Sequence, residues 1–139
     1  MWGKVRCNIK MQFTEDEDRN LSISLEVVGT SHTINITAIT NDNNGNQHKV
    51  YSIGTVPNPD LEFAVGDVIV FNINASGHPF HIKLEPSTGV EGSLGEPLVT
   101  NGGIDVGSVT LKPTAPVVLY CNCEFHSQMY GKINNYKLK

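Results

Sequence analysis

Residues 117–131 read VVLYCNCEFHSQMYG. The first seven of these residues are mostly apolar or aromatic and predict a β-strand that ends at Cys123. A short polar loop follows and carries His126 and Met129, before the next strand begins near Gly131. A thiol, an imidazole and a thioether, all ligands of soft metal ions, are therefore expected together at one end of a strand pair.

Short strand patterns recur along the rest of the chain. Residues 4–13 and 21–27 alternate between apolar and polar side chains, and the acidic stretch 14–20 between them predicts the tip of a hairpin. Further strands are predicted at 33–39, 48–53, 61–65, 67–73, 79–84, 106–112, 116–122 and 131–138. No window of ten residues has a helical period, so the fold expected is an all-β sandwich or barrel. The long connection at 85–105 is expected to be functional or mobile.

Composition excludes several classes of protein. The chain has 139 residues, enough for one domain with a buried core, and its three cysteines argue against a disulfide scaffold. Its net charge of -4 argues against a nucleic-acid partner. No stretch approaches the ~18 apolar residues of a membrane span, and the start of the chain has no pattern of a signal peptide. We therefore expect no membrane insertion.

A second histidine-containing segment, Gly77-His78-Pro79-Phe80-His81, can supply a further ligand. If His78 points toward the ligand loop, Phe80 and Ile82 share its core-directed side of the strand, and His81 points out with Lys83. That pattern favours His78, and leaves His81 as an alternative ligand or as a residue at the surface or behind the ligands. Two histidines, one cysteine and a weak axial methionine form the ligand set of a blue-copper electron-transfer site.

Cys121 lies two residues before Cys123 and is expected on the same face of the strand. The Cys-x-Cys spacing argues against a binuclear copper centre. We interpret Cys121 as a small core residue, with an alternative role as a soft-metal ligand.

Residues 67–80 and 115–131 together resemble the cupredoxin family, in its small form with a Ser-Gly-His-Pro-Phe segment and a short Cys-x2-His-x2-Met loop. The resemblance implies a Greek-key β-sandwich of about eight strands that holds one copper ion. His78, Cys123 and His126 would lie in the ligand plane, with Met129 as the axial ligand. The backbone around Asn72–Ser76 would donate hydrogen bonds to the thiolate sulfur and hold the ligand geometry.

The resemblance covers about residues 31–138, so residues 31–139 are expected to form the domain and residues 1–30 an N-terminal β-hairpin extension. It also implies one-electron transfer between proteins, no enzymatic reaction and a place outside the reducing cytosol. We expect an apolar patch of Phe80, Phe125 and Tyr130 to meet transient redox partners. The alternative is a structural module of a larger assembly, such as a virion or surface layer, joined through residues 1–28 and with a retained or vestigial copper site. A third hypothesis is copper storage or delivery.

Overall fold

The computed structural model describes residues 8–15, 21–43 and 46–137, and every regular element in these ranges is a β-strand. None of these ranges contains a helix that could cross a membrane. The twelve strands are β1 Asn8–Glu15, β2 Leu21–Val28, β3 Ser31–Asn43, β4 Asn46–Ile53, β5 Val56–Pro57, β6 Leu61–Ala64, β7 Val68–Asn74, β8 Phe80–Lys83, β9 Val99–Thr100, β10 Val106–Leu111, β11 Val117–Cys123 and β12 Tyr130–Tyr136.

Ten of these strands form the two sheets of a sandwich. The six-stranded sheet has the order β5-β4-β3-β7-β10-β9, and the four-stranded sheet has the order β6-β12-β11-β8. The pairs β3–β7 and β6–β12 are parallel, and the other pairs are antiparallel. Two strands, β5 and β9, have only two residues each. The remaining eight agree with the number that the resemblance to the cupredoxin family implies.

The core lies between the two sheets because alternate residues of each strand point inward. Ile69, Phe71 and Ile73 of β7 are buried on one side, and Leu119 and Cys121 of β11 are buried on the other. The β7–β8 connection and the β11–β12 loop leave this core at the same end of the sandwich, since Cys123 at the end of β11 pairs with Phe80 at the start of β8. This pairing brings the two histidine-containing segments together.

The outer face of the four-stranded sheet is covered at β8 by the long connection that follows it. The sequence pattern predicts that Lys83 points to solvent, but its side chain is only 1% exposed. Its ammonium donates hydrogen bonds to the carbonyls of Ser87 at 2.9 Å and Gly89 at 2.8 Å, and also contacts the Ser87 hydroxyl. The expectation is wrong because residues 84–105 fold back over the strand. Ser93 and Lys83 form an isolated antiparallel β-bridge, and the Leu94 N–H donates a hydrogen bond to the Ile82 carbonyl at 2.8 Å.

Strands β1 and β2 pair with each other as a separate two-stranded antiparallel ribbon. The backbone register opposes Met11 to Leu25 and Phe13 to Ile23. Residues 4–7 of the predicted first strand, and residues 16–20 of the predicted acidic tip, lie outside the described ranges.

Candidate metal centre

A tight turn presents His78 at the end of the sandwich. The His78 N–H donates to the Ala75 carbonyl at 2.8 Å and closes a turn over residues 75–78. Gly77, in the third position, has a φ of 83°, a conformation that favours glycine. Its N–H donates to Asp105 Oδ2 at 2.8 Å, which ties the turn to the start of β10. The glycine before His78 is thus required by the backbone conformation.

The loop after β11 folds back on Cys123. The Cys123 N–H donates to the Met129 carbonyl at 2.9 Å, and the Met129 N–H donates to the His126 carbonyl at 3.2 Å. These two backbone hydrogen bonds close residues 123–129 into a compact loop. They hold Cys123, His126 and Met129 close together without any metal ion.

Three of the predicted ligands form one cluster. Cys123 Sγ lies 3.7 Å from His78 Nδ1 and 3.4 Å from His126 Nδ1. The two imidazole rings are 4.9 Å apart at their centroids, with planes inclined at 44°. All three donor atoms lie within 4.8 Å of one another. Cys123 is fully buried, whereas both histidines are partly exposed, so the cluster lies at the edge of the core.

These distances fit a single metal ion held by all three residues. With metal–ligand bonds of about 2.0–2.3 Å, as for zinc, two donors at a trigonal ion lie roughly 3.5–3.8 Å apart. The two sulfur–nitrogen distances, 3.7 and 3.4 Å, are close to that range. One thiolate with two imidazoles is also the equatorial donor set that copper takes in electron-transfer sites. The residues present therefore fit copper.

The pKa of the His78 imidazole is lowered from its ordinary value, chiefly because its partial burial disfavours the charged form. The nearby imidazole of His126 and the ammonium of Lys49 lower this pKa further, and the Asp105 carboxylate opposes them. A lowered pKa keeps His78 neutral near pH 7, which is the form that binds a metal ion.

Met129 is fully buried and packs in the hydrophobic core beneath the loop. Its backbone bonds both to Cys123 and to His126, so its place in the chain is fixed relative to both ligands. Its assignment as the weak fourth ligand stays a prediction.

Cys121 is a free thiol in the core, 6% exposed and close to Gly131. Burial raises the pKa of this thiol to about 12, above its ordinary value of 9.0. Cys121 is therefore a neutral thiol at physiological pH. Since a thiol must lose its proton to bind a metal, this environment disfavours Cys121 as a ligand.

His81 is only 5% exposed, so of the two positions expected for it, at the surface or behind the ligands, the surface position is wrong. Its Nε2 lies 3.0 Å from Glu124 Oε1, and its Nδ1 is hydrogen-bonded to the Ser93 hydroxyl. Both ring nitrogens thus have partners outside the metal cluster. His81 is on the opposite side of β8 from the core, under the covering loop.

Asn72 lies on the solvent-facing side of β7, in the other sheet. Its amide nitrogen donates to Asn35 Oδ1 at 3.3 Å, and its oxygen accepts from the Ser108 hydroxyl at 2.9 Å. Its side chain therefore interacts with the two neighbouring strands, and support of the thiolate by the nearby backbone stays a prediction.

Of the three residues expected to form an exposed apolar patch, Phe80 is not at the surface. Phe80 is fully buried and packs against Tyr51 and Phe71. Phe125 and Tyr130 are 63% and 40% exposed and flank the ligand loop.

Tyr51 supports His78 and was missed by the sequence reasoning. This fully buried residue of β4 places its hydroxyl 2.8 Å from the His78 carbonyl and 3.0 Å from the Pro79 carbonyl, and donates to them. Burial, with a smaller contribution from Cys123, raises the pKa of Tyr51 far above its ordinary value, so the hydroxyl keeps its proton. The sequence does place this tyrosine on the apolar face of a strand. Because a buried hydroxyl needs a hydrogen-bond partner, that position indicates a polar contact inside the core.

Asn122 supports the ligand loop from within and was also missed. Its amide Nδ2 donates to the Cys123 carbonyl at 2.9 Å and to the His126 carbonyl at 3.3 Å. The two N–H groups of one amide thereby hold the backbone of two of the predicted ligands, Cys123 and His126. The alternation of β11 points Asn122 away from the core, so the pattern offered no sign of its burial.

Comparisons with known proteins identify the fold. A scan of protein-family models finds no match, and neither does a search of curated proteins. Solved structures do match. A reduced rusticyanin is 22% identical, with 81% of this chain and 83% of that chain covered and a TM-score of 0.55. A structure described as the copper protein rusticyanin is also 22% identical, covers 81% and 82% of the two chains and has a TM-score of 0.56.

A third structure, rusticyanin from Thiobacillus ferrooxidans, is 18% identical and covers 96% of this chain and 100% of that one, with a TM-score of 0.54. At these identities the likeness establishes the fold alone. The chain has the cupredoxin fold, and the predicted all-β Greek-key sandwich is confirmed.

Proposed function

We propose that this protein binds a single copper ion and carries single electrons between protein partners. The observation that carries the proposal is that Cys123 Sγ lies 3.7 Å from Nδ1 of His78 and 3.4 Å from Nδ1 of His126, in a cupredoxin fold. A copper ion bound there would supply the one-electron couple between Cu(II) and Cu(I).

Each residue of the cluster has a distinct role in this proposal. Cys123 provides the strongly bonding thiolate, in a position from which solvent is excluded. His78 and His126 complete the plane of ligands, and Met129 provides a weak axial thioether. A soft sulfur pair favours the reduced ion, while imidazole accommodates both charge states.

The protein holds these ligands in place by contacts that do not need the metal. The Tyr51 hydroxyl fixes the backbone at His78, and the Asn122 amide fixes the carbonyls of Cys123 and His126. Ligands held in this way move little when the charge of the ion changes. A small rearrangement is what fast electron transfer requires.

Electrons would leave and arrive at the partly exposed His126 edge. The neighbouring side chain of Phe125 is 63% exposed, and Lys49 lines the hollow beside it. We propose that a redox protein docks transiently on this face, with Tyr130 at its border. Copper carriers of this kind work outside the reducing cytosol, and we propose the same setting for this chain.

The test is to add copper(II) to the purified copper-free protein and record the absorption spectrum and the bound metal. We expect one copper per chain and an intense blue or green colour. Cys123→Ser should abolish the colour. Cys121→Ser is the matched control, since it removes a sulfur from the same strand and face, and it should keep the colour.

A wild-type protein that takes up no copper would rule out the carrier. Uptake without reversible oxidation and reduction in voltammetry would favour the alternative of copper storage or delivery.

A role in assembly is a second candidate, carried by the β1–β2 ribbon. The ribbon forms its own sheet, and its register pairs apolar residues across the two strands. A lone two-stranded ribbon is at best marginally stable in water, so it gains from a partner. We propose that residues 1–30 are an extension that joins the domain of residues 31–139 to a larger assembly.

A further inference from the structure

His81 is a buried histidine to which the proposed copper site gives no role. Its ring is fixed on three sides. Nε2 lies 3.0 Å from Glu124 Oε1, Nδ1 is hydrogen-bonded to the Ser93 hydroxyl, and Cε1 faces Gly103. A Cβ added at Gly103 would lie 2.8 Å from that Cε1, so only glycine allows the covering loop to approach so closely.

Both ring nitrogens of His81 have a hydrogen-bond partner. Nε2 pairs with the Glu124 carboxylate, and Nδ1 pairs with the Ser93 hydroxyl, which can either donate or accept. A buried polar group with all its bonds made is rigid, because any movement leaves a donor or an acceptor unpaired.

Glu124 transmits this rigidity to the metal centre because it directly follows Cys123. Its N–H donates to the Pro79 carbonyl at 3.1 Å, and its own carbonyl accepts from the Gly89 N–H at 2.7 Å. Pro79 directly follows His78 in the chain. Glu124 is thus held by its N–H, its carbonyl and its side chain, between the segment that carries His78 and the long covering loop.

We propose that His81 is a positioning residue that acts through Glu124 and holds the Cys123 thiolate in place beside His78. Ser93 orients the imidazole, and the loop over residues 84–105 closes it from solvent. This role rests on the proposed copper site. It also accounts for the second histidine of the His-Pro-Phe-His segment and for the unusual length of the loop.

The test compares Glu124→Ala with Glu124→Gln, since glutamine keeps an oxygen that can accept from Nε2 of His81. Removal of groups that orient metal ligands typically lowers metal affinity about 10- to 100-fold. We expect Glu124→Ala to lose affinity for copper in that range and to change the copper(II) absorption and paramagnetic resonance spectra. Glu124→Gln should restore both to about wild-type values. Glu91→Ala is the matched control, because it removes an exposed carboxylate of the covering loop and should leave both at wild-type values.

A second measurement uses the copper-free protein and does not depend on the metal. Hydrogen exchange at the Glu124 and Gly89 amides should speed up about tenfold in His81→Phe and Glu124→Ala, but not in Glu91→Ala. Melting curves identify any variant that fails to fold. If His81→Phe fails to fold, the exchange rates of Glu124→Ala are compared with those of Glu124→Gln instead.

The outcomes separate the positioning role from the copper site itself. If the wild type binds copper and both Glu124→Ala and His81→Phe keep its affinity, spectra and exchange rates, the positioning role is overturned. If the wild type binds no copper, the proposed function fails. Faster exchange in the two variants would then still support the role of His81 in holding the Cys123 segment, and unchanged exchange would overturn it.

Discussion

At the scale of single residues, the sequence indicates the candidate ligands but not the residues that hold them in place. Cys123, His126 and Met129 are close in sequence and belong to few residue types that bind soft metals, so spacing alone indicates them. Tyr51 lies more than twenty residues from His78, and its hydroxyl finds the His78 carbonyl only through the packing of β4 against the turn. Contacts of that kind depend on tertiary structure, which no local pattern records.

Tyr51→Phe tests the support of His78. The phenyl ring can keep its edge-on packing against Phe80, whose centroid is 5.2 Å away, while the hydrogen bonds to the His78 and Pro79 carbonyls are lost. We expect the free energy of unfolding of the copper-free protein to fall by about 1–2 kcal/mol, measured by denaturant titration. The copper(II) spectrum should also shift.

Tyr120→Phe is the control for that experiment, since Tyr120 is partly exposed and contacts Tyr130. Equal stability losses in the two variants would contradict a special role for the Tyr51 hydroxyl.

Cys121 predicts a pH dependence of stability. Its thiol has a pKa of about 12 in the folded protein and ordinarily 9.0, so above pH 9 the unfolded chain releases a proton that the folded chain keeps. Rising pH therefore favours unfolding through this group, by at most about 1.4 kcal/mol per pH unit. We expect the stability difference between the wild type and Cys121→Ala to shrink between pH 9 and 11, in denaturant titrations of the copper-free protein.

Below pH 8 the same difference should be constant, because the thiol is neutral in both states. A difference that does not change up to pH 11 would show that Cys121 ionises as easily in the folded protein as in the unfolded one.

At the scale of elements, the sequence predicts the strands well and the exposure of β8 badly. Most strand bounds lie within a few residues of their predicted positions, because alternation follows directly from one buried face. All four residues of β8 are buried, however. Alternation indicates which face meets the core, but it does not indicate whether a distant loop covers the other face. The polar residues His81 and Lys83 therefore looked like solvent-facing positions.

Lys83→Met tests how strongly the long loop is anchored to β8. Methionine keeps much of the volume but cannot donate to the carbonyls of Ser87, Thr88 and Gly89, which now receive hydrogen bonds from the ammonium. We expect a loss of about 1–3 kcal/mol in the free energy of unfolding, since acceptors lose a charged donor. Residues 84–92 should also become more susceptible to limited proteolysis.

Lys132→Met, at an exposed position of β12, is the matched control and should change neither property. If Lys83→Met were as stable and as resistant as this control, the ammonium would not anchor the loop.

At the scale of the whole molecule, the short connection between the ribbon and the sandwich passes close to the backbone of the sandwich. A Cβ added at Gly29, the residue after β2, would overlap with the Gly66 carbonyl. No side chain fits there without movement of the backbone. The sandwich nevertheless completes both of its sheets without a strand from the ribbon. Its folding and its metal cluster are therefore expected not to need residues 1–28.

Deletion of residues 1–28 should leave a folded sandwich that binds copper with the wild-type spectrum, because His78, Cys123 and His126 all belong to the two larger sheets and their connections. If the ribbon mediates assembly, light scattering should show a larger particle for the full chain than for the deleted one. Leu25→Lys should reduce that particle as the deletion does, while Ser24→Lys, at the adjacent and oppositely facing position, should not. A full chain that is already monomeric would rule out assembly through the ribbon, and loss of copper binding on deletion would show that the ribbon contributes to the site.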